Sequence, residues 1–408
     1  MRIKTITRKI TPEVGVKLAG YGPDDVSVAI HDDLLISGML FDDGAKRALL
    51  LSYDLLGIDA CNIQRIRQAC AAKTALQPGD IVLTCTHTHA GPHTRTSPGM
   101  PLNAEYIERL VQESVAAAAE LCSGETVEVD VLHYSSTSEE SVNRRVPQPD
   151  GSCRSLFRDR KALLPFATGV TDDELALLLF LEKGTSNTAA LLVNYAAHPL
   201  SGHAAGRMAL TISADYPGVI RGALAEMGVA CVFTSGACGD MSPRDFEAGF
   251  ERTREMGLSI AREIVKSCAD AIHHRPLHTI PAPRLKTSSV MVELGMRQTP
   301  HKRLPLYAGM EKVSLELQFL ALGDVCFVGV PGELLAEPGL EIKWHSPFRK
   351  TFILYNSTAY ISYLCHANAF VGGGYEADTA QVEPRATLKL VNAAVDELFK
   401  LKDEEHPR

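Results

Sequence analysis

The chain has 408 residues, 45% hydrophobic and 22% charged, with a net charge of -8 and a mean hydropathy of -0.01. That is a soluble globular composition with enough chain for a real core, and it offers no concentrated basic face of the kind nucleic acid requires. No apolar run approaches the roughly 20 residues of a membrane span, and the basic N-terminus "MRIKTITRKITPEVG" lacks the apolar stretch of a secretory signal.

The ten cysteines are scattered without a CxxC pair, which argues against a zinc ribbon or a thioredoxin-like site. With no signal peptide to read, they are expected to be reduced thiols in a cytoplasmic protein. No linker or internal repeat breaks the chain, so residues 1–408 are expected to form one domain.

In chain order, apolar runs predict strands at 47–53, 80–86, 189–197, 230–236, 324–330 and 351–357. Their apolarity is continuous rather than alternating, which suits strands buried on both faces. Helical patterns lie between them. "NAEYIERLVQESVAAAAELC" opens on an Asn cap and puts Ile107, Leu110, Val111 and Ser114 on one side. "FERTREMGLSIAREIVKSCADAI" and "ATLKLVNAAVDELFKL" are likewise amphipathic. The expected fold is α/β, a single large domain whose mixed, largely buried sheets are flanked by helices. Ligands in such folds sit beyond the carboxyl ends of the strands. Asp54, His87, His198, the loop "ACGDMSPR", "PGE" and "AYISY" all follow a predicted strand there.

Each of these residues has two readings. The pair His87 and His89 has a spacing that chelates zinc, or it marks two hydrogen-bonded histidines at a strand end. His93 falls outside a first ligand shell, and His203 reads as a loop residue. His198 is a loop histidine or a third imidazole. Glu333 is a ligand or an acidic residue in a helix's first turn. Ser242 lacks the GxSxG elbow of α/β-hydrolases and reads as a turn or cap residue. The sequence also lacks the HxHxDH series of metallo-β-lactamases, a convincing barrel-amidohydrolase series, and HExxH.

Taken in order, "THTHAGP", "VNRR", "AAHP", "SGACGDMSPR", "PGE" and "AYISYL…GGGYE" resemble the catalytic domain of the neutral, non-lysosomal ceramidases, from near Tyr21 to Tyr375. The resemblance implies a zinc-dependent amidase. It implies zinc ligands at His87, His198, Glu333 and Tyr363, with His89, Arg144, Ser242 and Tyr375 around the scissile amide. Zinc would activate a water, Tyr375, His89 and Arg144 would bind the oxyanion or move protons, and Ser242 would position substrate.

Departures from the family pattern include Met241 in "GDMSP" and the segment 364–374. The chain is also expected to end before the family's C-terminal β-sandwich domain. The arginines of "VNRRVPQPDGSCRSLFRDRK" (Arg144, Arg145, Arg154, Arg158 and Arg160), partly offset by Asp159, then favour a small, soluble, anionic N-acyl substrate over ceramide. Ceramide itself, a serine amidase or esterase using Ser242, and a non-catalytic binding protein on the same scaffold are the alternatives.

Overall fold

The computed structural model describes residues 1–20, 22, 24–157, 160–201, 210–245, 249–298 and 304–403. Tyr21, Arg158, Asp159 and His203 therefore lie outside the described residues.

Two mixed sheets pack face to face, and helices cover the outer face of each. The large sheet takes its main strands from β1 (Arg2–Lys9), β2 (Leu35–Asp42), β3 (Arg47–Tyr53), β4 (Ile81–Cys85), β5 (Val127–Thr137), β6 (Glu174–Glu182), β7 (Thr188–Tyr195) and β8 (Ala230–Ser235). Their order across the sheet is β8-β7-β6-β5-β1-β2-β3-β4, and the short strand Thr279–Ile280 pairs beside β5. The small sheet is four-stranded, in the order β9 (Leu285–Gly295), β10 (Lys312–Leu322), β11 (Val325–Gly329), β12 (Lys350–Leu354).

Period-two alternation explains the continuous apolar runs. Met39, Leu50, Val82, Leu178, Phe180 and Leu192 of the large sheet meet Leu320, Val325, Phe327 and Phe352 of the small one. Their neighbours Leu49, Leu51, Leu177 and Leu179 turn the other way, toward the helices. There they pack on α1 (Ala60–Thr74), α2 (Ala104–Cys122), α3 (Asp215–Glu226) and α4 (Gly249–His273). On the small sheet, Leu317, Phe319 and Val328 pack against α5 (Ala336–His345) and α6 (Ala386–Asp403). Each large apolar side chain buried this way contributes about 1.5–3 kcal/mol. The expected Asn103 cap is present, its side chain accepting the Tyr106 N–H at 3.1 Å.

Three long parallel pairs, β3/β4, β7/β8 and β11/β12, carry the functional loops. Parallel neighbours need a crossover, and α1, α3 and α5 supply it. Two of these pairs stand at opposite edges of the large sheet, yet the sheet curls until those edges meet. Ser235 Oγ donates to Thr86 O at 2.7 Å and Ser52 Oγ to Phe233 O at 2.6 Å. Tyr355, just past β12, joins both: its N–H reaches Ser235 O at 3.1 Å, and its carbonyl accepts Thr84 Oγ1 at 2.8 Å. The carboxyl ends of all three pairs thus converge. Among the described residues, no helix is long and apolar enough to cross a membrane.

Candidate metal centre

His87 follows β4 in a left-handed conformation, φ 74°. Ser362, beside Tyr363, and Asn356 are left-handed too, at φ 71° and 45°. Such backbone is strained for non-glycine residues and survives where surrounding contacts over-determine it. At His87 the N–H donates to Leu55 O at 2.9 Å, and ring Nδ1 lies 2.7 Å from Leu56 O. A carbonyl only accepts, so the Leu56 contact puts a proton on Nδ1 and leaves Nε2 facing the centre.

His198 repeats the arrangement from the opposite edge. Its Nδ1 donates to Cys238 O at 2.6 Å, with Met241 O at 3.1 Å. Burial, reinforced by the Arg144 charge, lowers its pKa to about 3, so the ring is neutral. Both Nε2 atoms are buried without a hydrogen-bond partner.

Glu333 Oε2 lies 3.4 Å from Nε2 of His87 and 3.4 Å from Nε2 of His198. It reaches them because Glu333–Leu334 pairs in parallel with Tyr363–Leu364, setting Glu333 directly beside Tyr363. Tyr355 donates to Oε2 at 3.1 Å and Tyr360 donates to Oε1. Burial raises both phenols well above their ordinary range, so both remain donors. Two imidazole Nε2 atoms and a carboxylate oxygen therefore face one another in a buried space. A cation among the three would satisfy all of them. The residues fit a zinc ion, whose ligands are nitrogen and oxygen donors of this kind, each fixed by a second hydrogen bond.

His89 belongs to the same cluster. One ring nitrogen from each of His87, His89 and His198 can be chosen so that all lie within 4.8 Å of one another. The family resemblance implies a place for His89 beside the scissile amide; its position makes it a third candidate donor as well, as the chelating spacing with His87 allows. Gly20, at φ +84°, packs against it, and a Cβ there would overlap His89 Nδ1.

Arg144 is fully buried. It donates to Glu376 Oε1 at 2.6 Å, Gly239 O at 2.7 Å and Tyr363 OH at 3.0 Å. The close approach of the Gly239 loop depends on glycine, since a Cβ would lie 2.7 Å from Glu333 O. Ser242 is buried, and Arg144 Nη1 approaches its Oγ at 3.5 Å. A guanidinium gives protons and does not take them, so this neighbour cannot serve Ser242 as the base a nucleophile needs. Tyr375 is 49% exposed and stacks edge-on against Tyr363 at 5.7 Å and Phe157 at 6.4 Å, which places it on the rim.

Two expectations need correction. Asp54 is spent on a buried ion pair with Arg221 and on the Leu35 N–H, so it serves the fold. Arg145 is occupied as well: it meets Glu376 Oε2 at 2.9 Å, Gly373 O at 2.8 Å and Ala369 O at 3.1 Å. It holds the loop under Tyr375 with three of its five side-chain N–H groups, which makes it a structural residue first. Sequence reasoning missed Tyr355, Tyr360 and Glu376. Tyr355 could have been found, because it directly follows the strand ending at Leu354.

No family profile and no curated protein matches this sequence. Solved structures do. Neutral ceramidase from Pseudomonas aeruginosa superposes with a TM-score of 0.82 at 16% identity, over 99% of this chain and 74% of that one. A ceramidase complexed with C2 gives 0.79 at 15% identity, over 99% and 75%. The architecture of this chain is therefore that of the neutral ceramidases.

Proposed function

We propose that this protein is a zinc-dependent hydrolase that cleaves the amide bond of an N-acyl compound. The observation that carries the reading is the meeting of His87 Nε2, His198 Nε2 and Glu333 Oε2, with both Nδ1 protons committed to backbone carbonyls. Its fold likeness to ceramidases and the order of the site motifs along the chain support it.

His87, His198 and Glu333 would hold the ion, with Tyr363 beside Glu333 as the further ligand. Bound there, zinc would supply Lewis acidity and lower the pKa of a water toward ~7. In the net reaction water adds across the C–N bond, releasing a carboxylic acid and an amine. His89 stands against the ligand imidazoles and is the group to take the water's proton and pass it to the departing nitrogen. Tyr375, on the rim, donates to the carbonyl oxygen as charge builds there. Arg144 keeps a permanent positive charge beside Tyr363, fixed by Glu376 so that it need not reorganise during the reaction. Ser242 positions Arg144 and the substrate.

Metal analysis and chelation test this together. Stoichiometric zinc in the parent protein should be lost in a His87→Ala, His198→Ala double variant that keeps its circular dichroism spectrum. Hydrolysis of N-acyl substrates should stop with a chelator and return with zinc. Ser242→Ala should slow turnover without any acyl adduct forming in the parent. An adduct at Ser242, together with indifference to chelators, would overturn the reading in favour of serine chemistry.

A further inference from the structure

Buried guanidinium groups among the described residues pair with carboxylates: Arg67 with Glu316, Arg144 and Arg145 with a shared Glu376, Arg221 with Asp54. Arg95, which is only partly buried, departs from that pattern. Its Cζ lies 4.2 Å from the centroid of the Tyr360 ring, and its Nη1 donates to Ser97 Oγ. Its Nε is buried without a hydrogen-bond partner. Among the described residues, no carboxylate forms an ion pair with it. The neighbouring Asp59 carboxylate accepts the N–H and hydroxyl of Thr96 on Oδ2, at 2.9 and 2.5 Å, and offsets the Arg95 charge without pairing with it.

The loop that carries Arg95 is firmly held. Thr94 Oγ1 donates to Gly57 O at 2.7 Å, and the Tyr360 ring lies against Gly57. Tyr360 in turn donates to Glu333. Arg95 thus stands one aromatic ring and one hydrogen bond from the carboxylate that faces His87 and His198. A cation held this way is incomplete. The outer nitrogens of a partly exposed guanidinium can donate to a carboxylate.

We propose that Arg95 determines specificity at this site, receiving the carboxylate of an N-acyl amino acid whose amide lies at the His87, His198 and Glu333 centre. This rests on the amide-hydrolase reading above and moves anion recognition away from Arg144 and Arg145, which Glu376 already occupies. A neutral lipid amide would gain nothing from Arg95, so discrimination comes from the attraction to the carboxylate.

The test is a matched pair, N-acetylphenylalanine and its uncharged amide, measured by equilibrium binding and by hydrolysis. Wild-type protein should bind the carboxylate about 10- to 100-fold more tightly than the amide. Arg95→Gln should erase that preference and leave the affinity for the amide unchanged, while Arg95→Lys keeps part of it. A preference that persists in Arg95→Gln means that the metal or another cation reads the carboxylate, and overturns the proposal. So does equal binding of both ligands, or binding of neither, by the wild type. Cleavage of the amide without discrimination would sink Arg95 and leave the hydrolase reading standing. Arg95-dependent binding of the carboxylate with no hydrolysis of either compound would do the reverse.

Discussion

Replacing Tyr360 by phenylalanine isolates one hydrogen bond at the centre. The ring stays, keeping its contact with Gly57 and its stack under Arg95, and only the hydroxyl that donates to Glu333 Oε1 disappears. Tyr360 is 5% exposed, so water cannot easily replace the lost donor. A hydrogen bond to an ionised group contributes about 1.5–3 kcal/mol, and each ~1.4 kcal/mol is tenfold in an equilibrium constant. Zinc affinity should therefore fall about 10- to 100-fold, the range found when the partner of a metal ligand is removed. Tyr355→Phe should cost less, because its bond to Oε2 is 3.1 Å long. Competition against a chromophoric chelator measures both. A Glu333→Gln background supplies the control: there Tyr360→Phe should change affinity by less than about threefold, since the charged acceptor has gone. An unchanged affinity in Tyr360→Phe, or the same loss in both backgrounds, would refute the assignment of Glu333 as a ligand tuned by its tyrosines.

Glu376 is the carboxylate shared by two buried guanidiniums, so Glu376→Gln should destabilise the protein by about 3–5 kcal/mol in urea unfolding; a loss under ~1 kcal/mol would contradict the ion-pair reading. His133 titrates at about 4 in the folded chain, lowered by burial and then by the Arg349 charge, against an ordinary 6.5. Above pH 6.5 both states are neutral; as pH falls toward 4 the unfolded chain takes the proton first and stability drops. His133→Asn should lose on the order of 1 kcal/mol less than wild type between pH 7 and pH 5 in metal-free protein, and parallel pH curves would rule this contribution out.

The strands that the sequence marked plainly are those of the parallel pairs, where both faces are covered and apolar residues run without a break. Leu285–Gly295 has a half-exposed face and gives no such run. Because ligands follow strand ends, His87, His198 and Glu333 were legible as polar residues in the right places. Their proximity was not, since it depends on the curl that joins opposite sheet edges through Ser52, Ser235 and Tyr355. The arginines show the limit most clearly. Arg144 and Arg145 looked like free anion binders because a linear sequence does not reveal that both pair with Glu376, far along the chain. Arg95 attracted no notice for the converse reason: a missing partner has no sequence signature.

The division of the proposed ligand atoms between the two sheets also imposes an order in time. His87 and His198 leave the ribosome with the large sheet, whereas Glu333 and Tyr363 belong to the layer made last. At ~5–20 residues per second, on the order of ten seconds separate the appearance of His198 from that of Glu333. Throughout that interval a nascent chain can offer a cation the histidines alone. On the proposed ligand set, capture by the complete site waits until the second layer docks.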